Sequence, residues 1–268
     1  MEILGFIGAL MMGLTLGLIG GGGSILTVPI LVYLFSVDTV LATAYSLFIV
    51  GLTSLIGSFS HISQGNVHWR TAIVFGIPSI ISVYLTRMYF VPLIPEQIFT
   101  IGSFSLTKPI LILIFFAVLM VFASYTMIRE CKKCKEKPVG EINYNYPLIL
   151  IEGLVVGTIT GLVGAGGGFL IIPALVILAK LPMKQAVGTS LVIIALKSLI
   201  GFMGDVKGSE AINWHFLGNF SVIAIIGIVI GSMLSKKVSD EKLKPAFGYF
   251  VLVMGLYIIT KELFFHHA

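Results

Sequence analysis

The chain has 268 residues, of which 57% are hydrophobic and only 11% are charged. Ordinary soluble domains carry about 25% charged residues, and the mean hydropathy here is +1.06, so the composition excludes a soluble globular protein. The net charge of +5 and the pI of about 9.1 are compatible with nucleic-acid binding. The cations fall in two short loops, however, which is the pattern that sets membrane orientation. We therefore expect an all-α polytopic membrane protein.

Ten apolar segments follow one another along the chain. A full helical crossing needs about 20 residues, and the segments 24–36 and 168–180 have only 13 residues each. We expect each short segment to form a helical hairpin with the segment before it, which gives three full crossings in each half and about eight transmembrane segments in all. The first segment has no basic flank and its pattern recurs near 147–164, so we expect it to belong to the fold. The segments are 3–19, 24–36, 40–60, 70–91, 109–128, 147–163, 168–180, 185–204, 215–235 and 246–264.

A glycine-rich element occurs at the tip of each predicted hairpin. The first copy, from Gly17 to Pro29, reads Gly-Leu-Ile-Gly-Gly-Gly-Gly-Ser-Ile-Leu-Thr-Val-Pro. The second, from Gly161 to Pro173, begins 144 residues later and reads Gly-Leu-Val-Gly-Ala-Gly-Gly-Gly-Phe-Leu-Ile-Ile-Pro. Broken helices at membrane depth are tolerated only where the backbone is buried in protein or lines a wet cavity. A matched pair of interrupted segments in two halves indicates the binding site of a transporter.

Further matches at the same offset indicate an internal repeat. Leu52-Thr-Ser-Leu-Ile-Gly57 corresponds to Leu196-Lys-Ser-Leu-Ile-Gly201, and the only two tryptophans, Trp69 and Trp214, match after a slip of one residue. Each tryptophan opens a predicted helix, where aromatic belts lie. The sequence thus predicts three parts, a first transmembrane repeat, a basic linker and a second transmembrane repeat. Their ranges are 1–129, 130–146 and 147–268.

The two clusters of cations predict the orientation. The loops 129–137 and 236–244 are lysine-rich, so we expect both to be cytoplasmic. Counting outward from them places both termini outside and gives the two repeats opposite orientations, in the plasma (inner) membrane. Inverted repeats with a binding site at their interface near the bilayer midplane are a known transporter plan.

The hairpin tips are the predicted binding site. Short half-helices are expected to begin at Ser24 and at Gly168, and a helix N-terminus presents free backbone N–H groups with a partial positive charge. Two such N-termini would form a central anion site of backbone amides. The alternative is that the glycines only allow close helix packing. The predicted donors are Gly22, Gly23, Ser24, Gly166, Gly167 and Gly168.

Two polar helical faces accompany the tips. The spacing of three, four or seven residues puts each set on one face, which points at other helices or at a water-filled path. Lys197 is the cation deepest inside an apolar crossing, and such residues mark substrate pathways by default; the alternative is that it snorkels to the outer helix end. We expect Lys197 to add charge to the anion site, with Ser46, Thr189 and Ser190 adding hydroxyl contacts. The two faces are Thr43, Ser46, Thr53, Gly57 and Ser60, and Ser190, Lys197, Gly201 and Gly204.

Three titratable residues are candidates for proton coupling. They are His61 and Asp205, which are equivalent at the offset of 144, and Glu152. The alternative is that all three lie at wet interfaces, since none is deep in a crossing.

Cys131 and Cys134 form a Cys-x-x-Cys pair in the linker. Such a pair can be a redox centre or half a zinc site, or simply two exposed thiols. The sequence carries no metal cluster, catalytic triad or nucleophile elbow, so we expect neither a cofactor nor an enzyme.

The duplicated glycine element resembles that of the TauE/SafE family of sulfite and organosulfonate exporters. The run Gly188-Thr-Ser-Leu191 fits the resemblance as well, which covers about residues 3–265, whereas Ser24 and Ala44-Tyr-Ser-Leu47 depart from it in the first half. The resemblance implies a transporter of small sulfur oxyanions or sulfonates, with duplicated halves. The partners expected are a small anion and the lipid bilayer, without nucleic acid.

The predicted function is therefore export of a small anion by alternating access around the two glycine-rich tips. Two alternatives stand beside it. One is a membrane redox or sulfur-handling protein that works through Cys131 and Cys134. The other is a membrane scaffold subunit that transports nothing.

Overall fold

The computed structural model describes residues 2–101, 104–130, 146–177, 179, 181–206, 212–234 and 240–264. The described chain is helical almost throughout. The helices of its first part are α1 Glu2–Ile19, α2 Thr27–Leu34, α3 Thr39–Ser63, α4 Trp69–Leu85, α5 Val91–Leu93 and α6 Lys108–Glu130. Those of its second part are α7 Tyr146–Val163, α8 Gly168–Ile177, α9 Met183–Val206, α10 Trp214–Leu234 and α11 Asp240–Phe264.

Each of the ten predicted segments corresponds to a helix, and three short elements complete the chain. A 3₁₀ helix, Gly22–Leu26, precedes α2, and a π-helical turn, Thr86–Phe90, joins α4 to α5. An antiparallel hairpin of β1 Gln97–Ile101 and β2 Phe104–Thr107 precedes α6. The sequence did not predict this hairpin, because strands of five and four residues next to long apolar helices give no distinct periodic signal.

The helices pack in pairs that relate the two parts of the chain. α3 packs against α9, α6 against α11, α1 against α10 and α4 against α7. The counterparts in the two halves are α1 and α7, α3 and α9, α4 and α10, and α6 and α11. The α1–α10 pair is therefore equivalent to the α7–α4 pair, whereas the α3–α9 and α6–α11 pairs each join two counterparts. The same exchange relates the α4–α9 contact to the α10–α3 contact. The packing therefore has the pairwise symmetry that a duplicated chain produces.

α3 and α9 form the centre of the bundle. The apolar spans within them are 67% and 78% buried, against 39% in both α4 and α10. The outer face of α4 exposes Ile73, Ile77 and Ile81, which lie one helical turn apart. A soluble monomer rarely exposes a continuous apolar face of this kind, whereas lipid accommodates it.

Five described helices are long and apolar enough to cross a membrane by length and composition, and three shorter apolar helices lie in the hairpins. The chain is thus an integral membrane protein with several passes. The five spans are Thr39–Ser63, Trp69–Leu93, Lys108–Tyr125, Lys184–Val206 and Trp214–Leu234.

Candidate functional site

The two glycine runs break the helices as predicted, but they form different turns. Gly20 and Gly164 are equivalent at the offset of 144, and both have positive φ, +87° and +73°. In the second run Gly166 and Gly167 also have positive φ, +65° and +72°. α8 then begins at Gly168, which confirms the predicted start of that helix.

The start predicted for the first half-helix, Ser24, is wrong. A 3₁₀ helix runs from Gly22 to Leu26, and α2 begins only at Thr27. The hydroxyl of Ser24 donates to the carbonyl oxygen of Gly21 at 2.8 Å, and this local bond competes with a regular α-helical start. Short 3₁₀ segments are common at helix ends.

The two glycine turns meet backbone to backbone. A Cβ atom added to Gly21 would overlap the backbone of Gly168, and one added to Gly168 would overlap that of Gly21. Only residues without a side chain allow so close an approach. The contact joins the turn of one half to the first residue of α8 in the other, inside the protein.

Each turn is also enclosed by a central helix of the other half. The first turn lies against α9, because a Cβ on Gly20 would come within 2.8 Å of Val187 Cγ1. The second turn lies against α3, where Gly164 contacts Thr43 and Gly166 contacts Val50. The site is therefore built at the interface of the two parts of the chain.

Lys197 reaches the second glycine turn. Its side chain is 0% exposed, and its Nζ donates to the Thr160 hydroxyl on α7 at 2.9 Å. A Cβ added to Gly167 would lie 2.8 Å from the same Nζ. Lys197 thus lies beside the turn rather than extending to the helix end.

This lysine has no carboxylate partner within the part of the chain that the structure describes. The effective cost of burying an ion is several kcal/mol even after the protein relaxes. A single hydroxyl does not neutralise the ammonium group. The Lys197 amine at the second turn therefore has no negatively charged partner among the described residues.

The predicted hydroxyl residues divide into two groups. Ser46 is fully buried in α3, and its hydroxyl has no hydrogen-bond partner in the described part of the chain. Ser190 donates to the carbonyl of Val187 at 2.8 Å, and the Thr189 hydroxyl accepts from the backbone N–H of His68 at 2.9 Å. Thr189 therefore holds the α3–α4 loop, and it lies eight residues before Lys197 on α9.

Sequence reasoning missed several residues around the turns. Thr160, the partner of Lys197, has Leu16 at its equivalent position and therefore carried no repeat signal. Ser54 and Ser198 did carry one, since they are equivalent at the offset of 144, and both are fully buried with unpartnered hydroxyls. Unpaired buried polar groups are rare and call for an explanation, such as an ion or a ligand.

The structure does not bring the three predicted coupling residues together. His61 lies beside Gly188, near the start of α9, whereas Asp205 lies at the other end of α9, about 26 Å away at the helical rise. Asp205 Oδ2 is 3.4 Å from Nε of Arg87. Glu152 is half-buried in α7. The Cys131–Cys134 pair lies outside the described residues.

The fold and the candidate site are typical of one class of membrane protein. Helices broken at matched glycine turns are typical of membrane transporters. The family model for sulfite exporter TauE/SafE matches residues 5–258. The chain belongs to this family, whose members are membrane transporters rather than enzymes.

Curated relatives agree in class and length. A probable membrane transporter protein of Xylella fastidiosa is 28% identical over 94% of this chain and 92% of its own. One of Methanocaldococcus jannaschii is 28% identical over 96% and 93%. The probable membrane transporter protein YunE of Bacillus subtilis is 26% identical over 97% and 100%. No solved structure matches the chain.

Proposed function

We propose that the protein exports a small anion, sulfite or an organosulfonate, by alternating access around a central site between the two glycine turns. The observation that carries the proposal is Lys197. It is a fully buried cation against the second turn, and no described carboxylate balances it. An anion bound at the turn would supply the missing negative charge.

Backbone amides are the other half of the site. The N–H groups of Leu170 and Ile171 bond to the carbonyl of Gly167, both at 3.0 Å. The first N–H groups of a helix have no intrahelical partner, and the structure gives those of Gly167 and Gly168 no acceptor among the described residues. These amides, the α8 dipole and the lysine all favour a negatively charged ligand at one place.

The first turn completes the site. The contact of Gly21 with Gly168 brings the start of the 3₁₀ helix next to the start of α8. Gly22, Gly23 and Ser24 follow directly, so their amides are the proposed donors from the first half. Ser46 on α3 offers a buried hydroxyl without a partner.

The family description supports a sulfur oxyanion as the cargo. Sulfite and sulfonates present several oxygens in one compact group, which suits a site of convergent N–H donors. Export also follows from charge, because an inside-negative potential drives an anion outward by about 2.3 kcal/mol per charge per 100 mV.

Inverted repeats are the proposed architecture. The repeats are residues 1–129 and 147–268, joined by the linker 130–146 with its basic loop in the cytoplasm. The paired packing of α1 with α10 and of α4 with α7 supports two equivalent halves. Alternating access would then be a rocking of these halves around the α3–α9 pair.

Sulfite efflux from proteoliposomes tests the proposal. Lys197→Met should lower the efflux rate by about 10- to 100-fold, the scale of one hydrogen bond to a charged group. Lys184→Met is the matched control, because Lys184 lies on the same helix and is exposed. A Lys197→Met protein that folds and transports sulfite at the unmodified rate would refute the central anion site.

A further inference from the structure

A second buried cation lies in this bundle, outside the central site. Arg87 is 1% exposed, and its Nε, Nη1 and Nη2 atoms have no hydrogen-bond partner among the residues that the structure describes. Its Nε is 3.4 Å from the Asp205 carboxylate, too poorly aligned for a hydrogen bond. The two Nη groups of a guanidinium form a planar fork that matches an oxyanion, so a strong anion-binding group lies buried and unoccupied by protein acceptors.

The backbone around Arg87 is shaped to hold it there. Arg87 lies in the π-helical turn Thr86–Phe90, and such turns are rare and frequent at functional sites. Gly204 of α9 packs closely against this turn, since a Cβ added to Gly204 would lie 3.1 Å from Arg87 Cβ. Two local irregularities thus allow one charged side chain to be buried between α4 and α9.

Arg87 lines a cavity of about 420 Å³, a size that holds a small organic ligand. We call it the Arg87 cavity. It lies at the end of the bundle where α3 begins and α9 ends, and its charged lining residues are Asp38, Arg87, Glu96, Lys108 and Asp205.

Three other charged groups of the cavity, those of Asp38, Glu96 and Lys108, have partners. Asp38 Oδ1 accepts from the N–H groups of Val40 and Leu41 at 2.8 and 3.3 Å. Glu96, whose side chain is 81% exposed, lies 3.7 Å from the buried Lys108 ammonium. Among the described residues, Asp205 Oδ2 lacks a hydrogen-bond donor and the two Nη groups of Arg87 lack an acceptor. The Nη groups favour a ligand that brings oxygens with negative charge.

We propose that the Arg87 cavity is a second binding station for the transported anion, held bidentately by Nη1 and Nη2 of Arg87. Asp205 lies 3.4 Å from Nε and competes with the anion for the guanidinium. Asp205 follows Lys197 by eight residues on α9, about 12 Å along the helix. The anion would pass between the two cations along this stretch of α9. The inference rests on the proposed transport function and extends it from one site to two.

Isothermal titration of the purified full chain with sulfite, under nitrogen, measures the number of anions bound. We expect two sulfite ions per chain. Arg87→Gln should lose one and keep the other, and Lys197→Met should lose the other. Arg70→Gln is the matched control, because Arg70 lies on the same helix and is exposed.

The Asp205→Asn variant distinguishes anion binding by Arg87 from a purely structural ion pair between Arg87 and Asp205. If Arg87 binds the anion, removing the competing carboxylate should tighten that station about tenfold, the scale of one charge-assisted hydrogen bond. If the pair is only structural, Asp205→Asn and Arg87→Gln will lower the melting temperature and leave sulfite stoichiometry and affinity unchanged, which overturns the inference. Should Arg87→Gln fail to fold, Arg87→Lys keeps the charge without the fork and should weaken the station.

The two proposals fail in different ways. One sulfite ion that is lost in Lys197→Met and kept in Arg87→Gln retains the central site and overturns the second station. One ion that is kept in Lys197→Met and lost in Arg87→Gln does the reverse. Binding of neither sulfite nor the organosulfonates taurine and sulfoacetate by the folded protein overturns both.

Discussion

Gly167→Ala tests the second glycine turn most directly, because the added methyl group occupies the space of the proposed site. Gly167 has φ of +72°, and its Cβ would overlap Thr160 Cγ2 and lie 2.8 Å from Lys197 Nζ. The methyl group must therefore push apart the two side chains whose hydrogen bond, at 2.9 Å, holds the lysine in place.

Gly65→Ala is the matched control for the backbone. Gly65 has φ of +69°, nearly the same as Gly167, and nothing lies within 4 Å of its Cβ position. Both variants place a side chain in the left-handed region, which costs about 1–2 kcal/mol. Only Gly167→Ala adds the cost of overpacking, about 1–3 kcal/mol, and the loss of a hydrogen bond from a charged group, about 1.5–3 kcal/mol.

The expected difference between the two variants is thus about 2.5–6 kcal/mol in stability. Thermal unfolding followed by the fluorescence of Trp69 and Trp214 measures it, and sulfite efflux from proteoliposomes measures function. Gly65→Ala should transport at the unmodified rate, while Gly167→Ala should lose transport. Equal stability and equal efflux in the two variants would refute the placement of Lys197 against the turn.

Three other predictions concern the same turns and the alternative function. Gly21→Ala should prevent cooperative folding, because its methyl group would overlap the backbone of the opposite turn. Gly218→Ala is the control, since nothing lies within 4 Å of its Cβ position. In thermal unfolding it should be neutral or should stabilise the protein by about 0.5–1 kcal/mol. Thr160→Val should lower stability and sulfite efflux because it leaves the buried ammonium without its hydroxyl partner, and Thr160→Ser should restore both; equal effects of valine and serine would contradict this. Replacing Cys131 and Cys134 with serine should leave efflux unchanged, and loss of efflux would favour the redox alternative.

The central site was partly predictable, and the reason differs from residue to residue. The positive φ of Gly20 and Gly164 follows from a local preference of glycine, so a repeated run was enough to locate both turns. Lys197 was recognisable from the sequence because a cation inside an apolar membrane segment is rare in every fold. Thr160 did not, since a threonine in a membrane helix is ordinary and its importance depends on which lysine it meets.

Arg87 shows most clearly what the sequence alone does not predict. It lies four residues before the end of the predicted segment 70–91, where long cations usually extend to the membrane surface. Its burial depends on Gly204 and Asp205, more than a hundred residues later in the chain. Likewise, the first half-helix begins later than predicted because Ser24 bonds to the carbonyl of Gly21, a choice that helical spacing alone does not reveal.

The sequence by itself determined the membrane class, the positions of the ten main helices and the two places where helices break. These properties depend on hydropathy and backbone preference within about 20 consecutive residues. Only the tertiary structure decided that Gly21 touches Gly168, that Lys197 is buried beside Gly167 without a described carboxylate, and that Arg87 lines a cavity. Contact and burial depend on residues far apart in the chain, and it is the packing of α3, α4, α7 and α9 that brings those residues together.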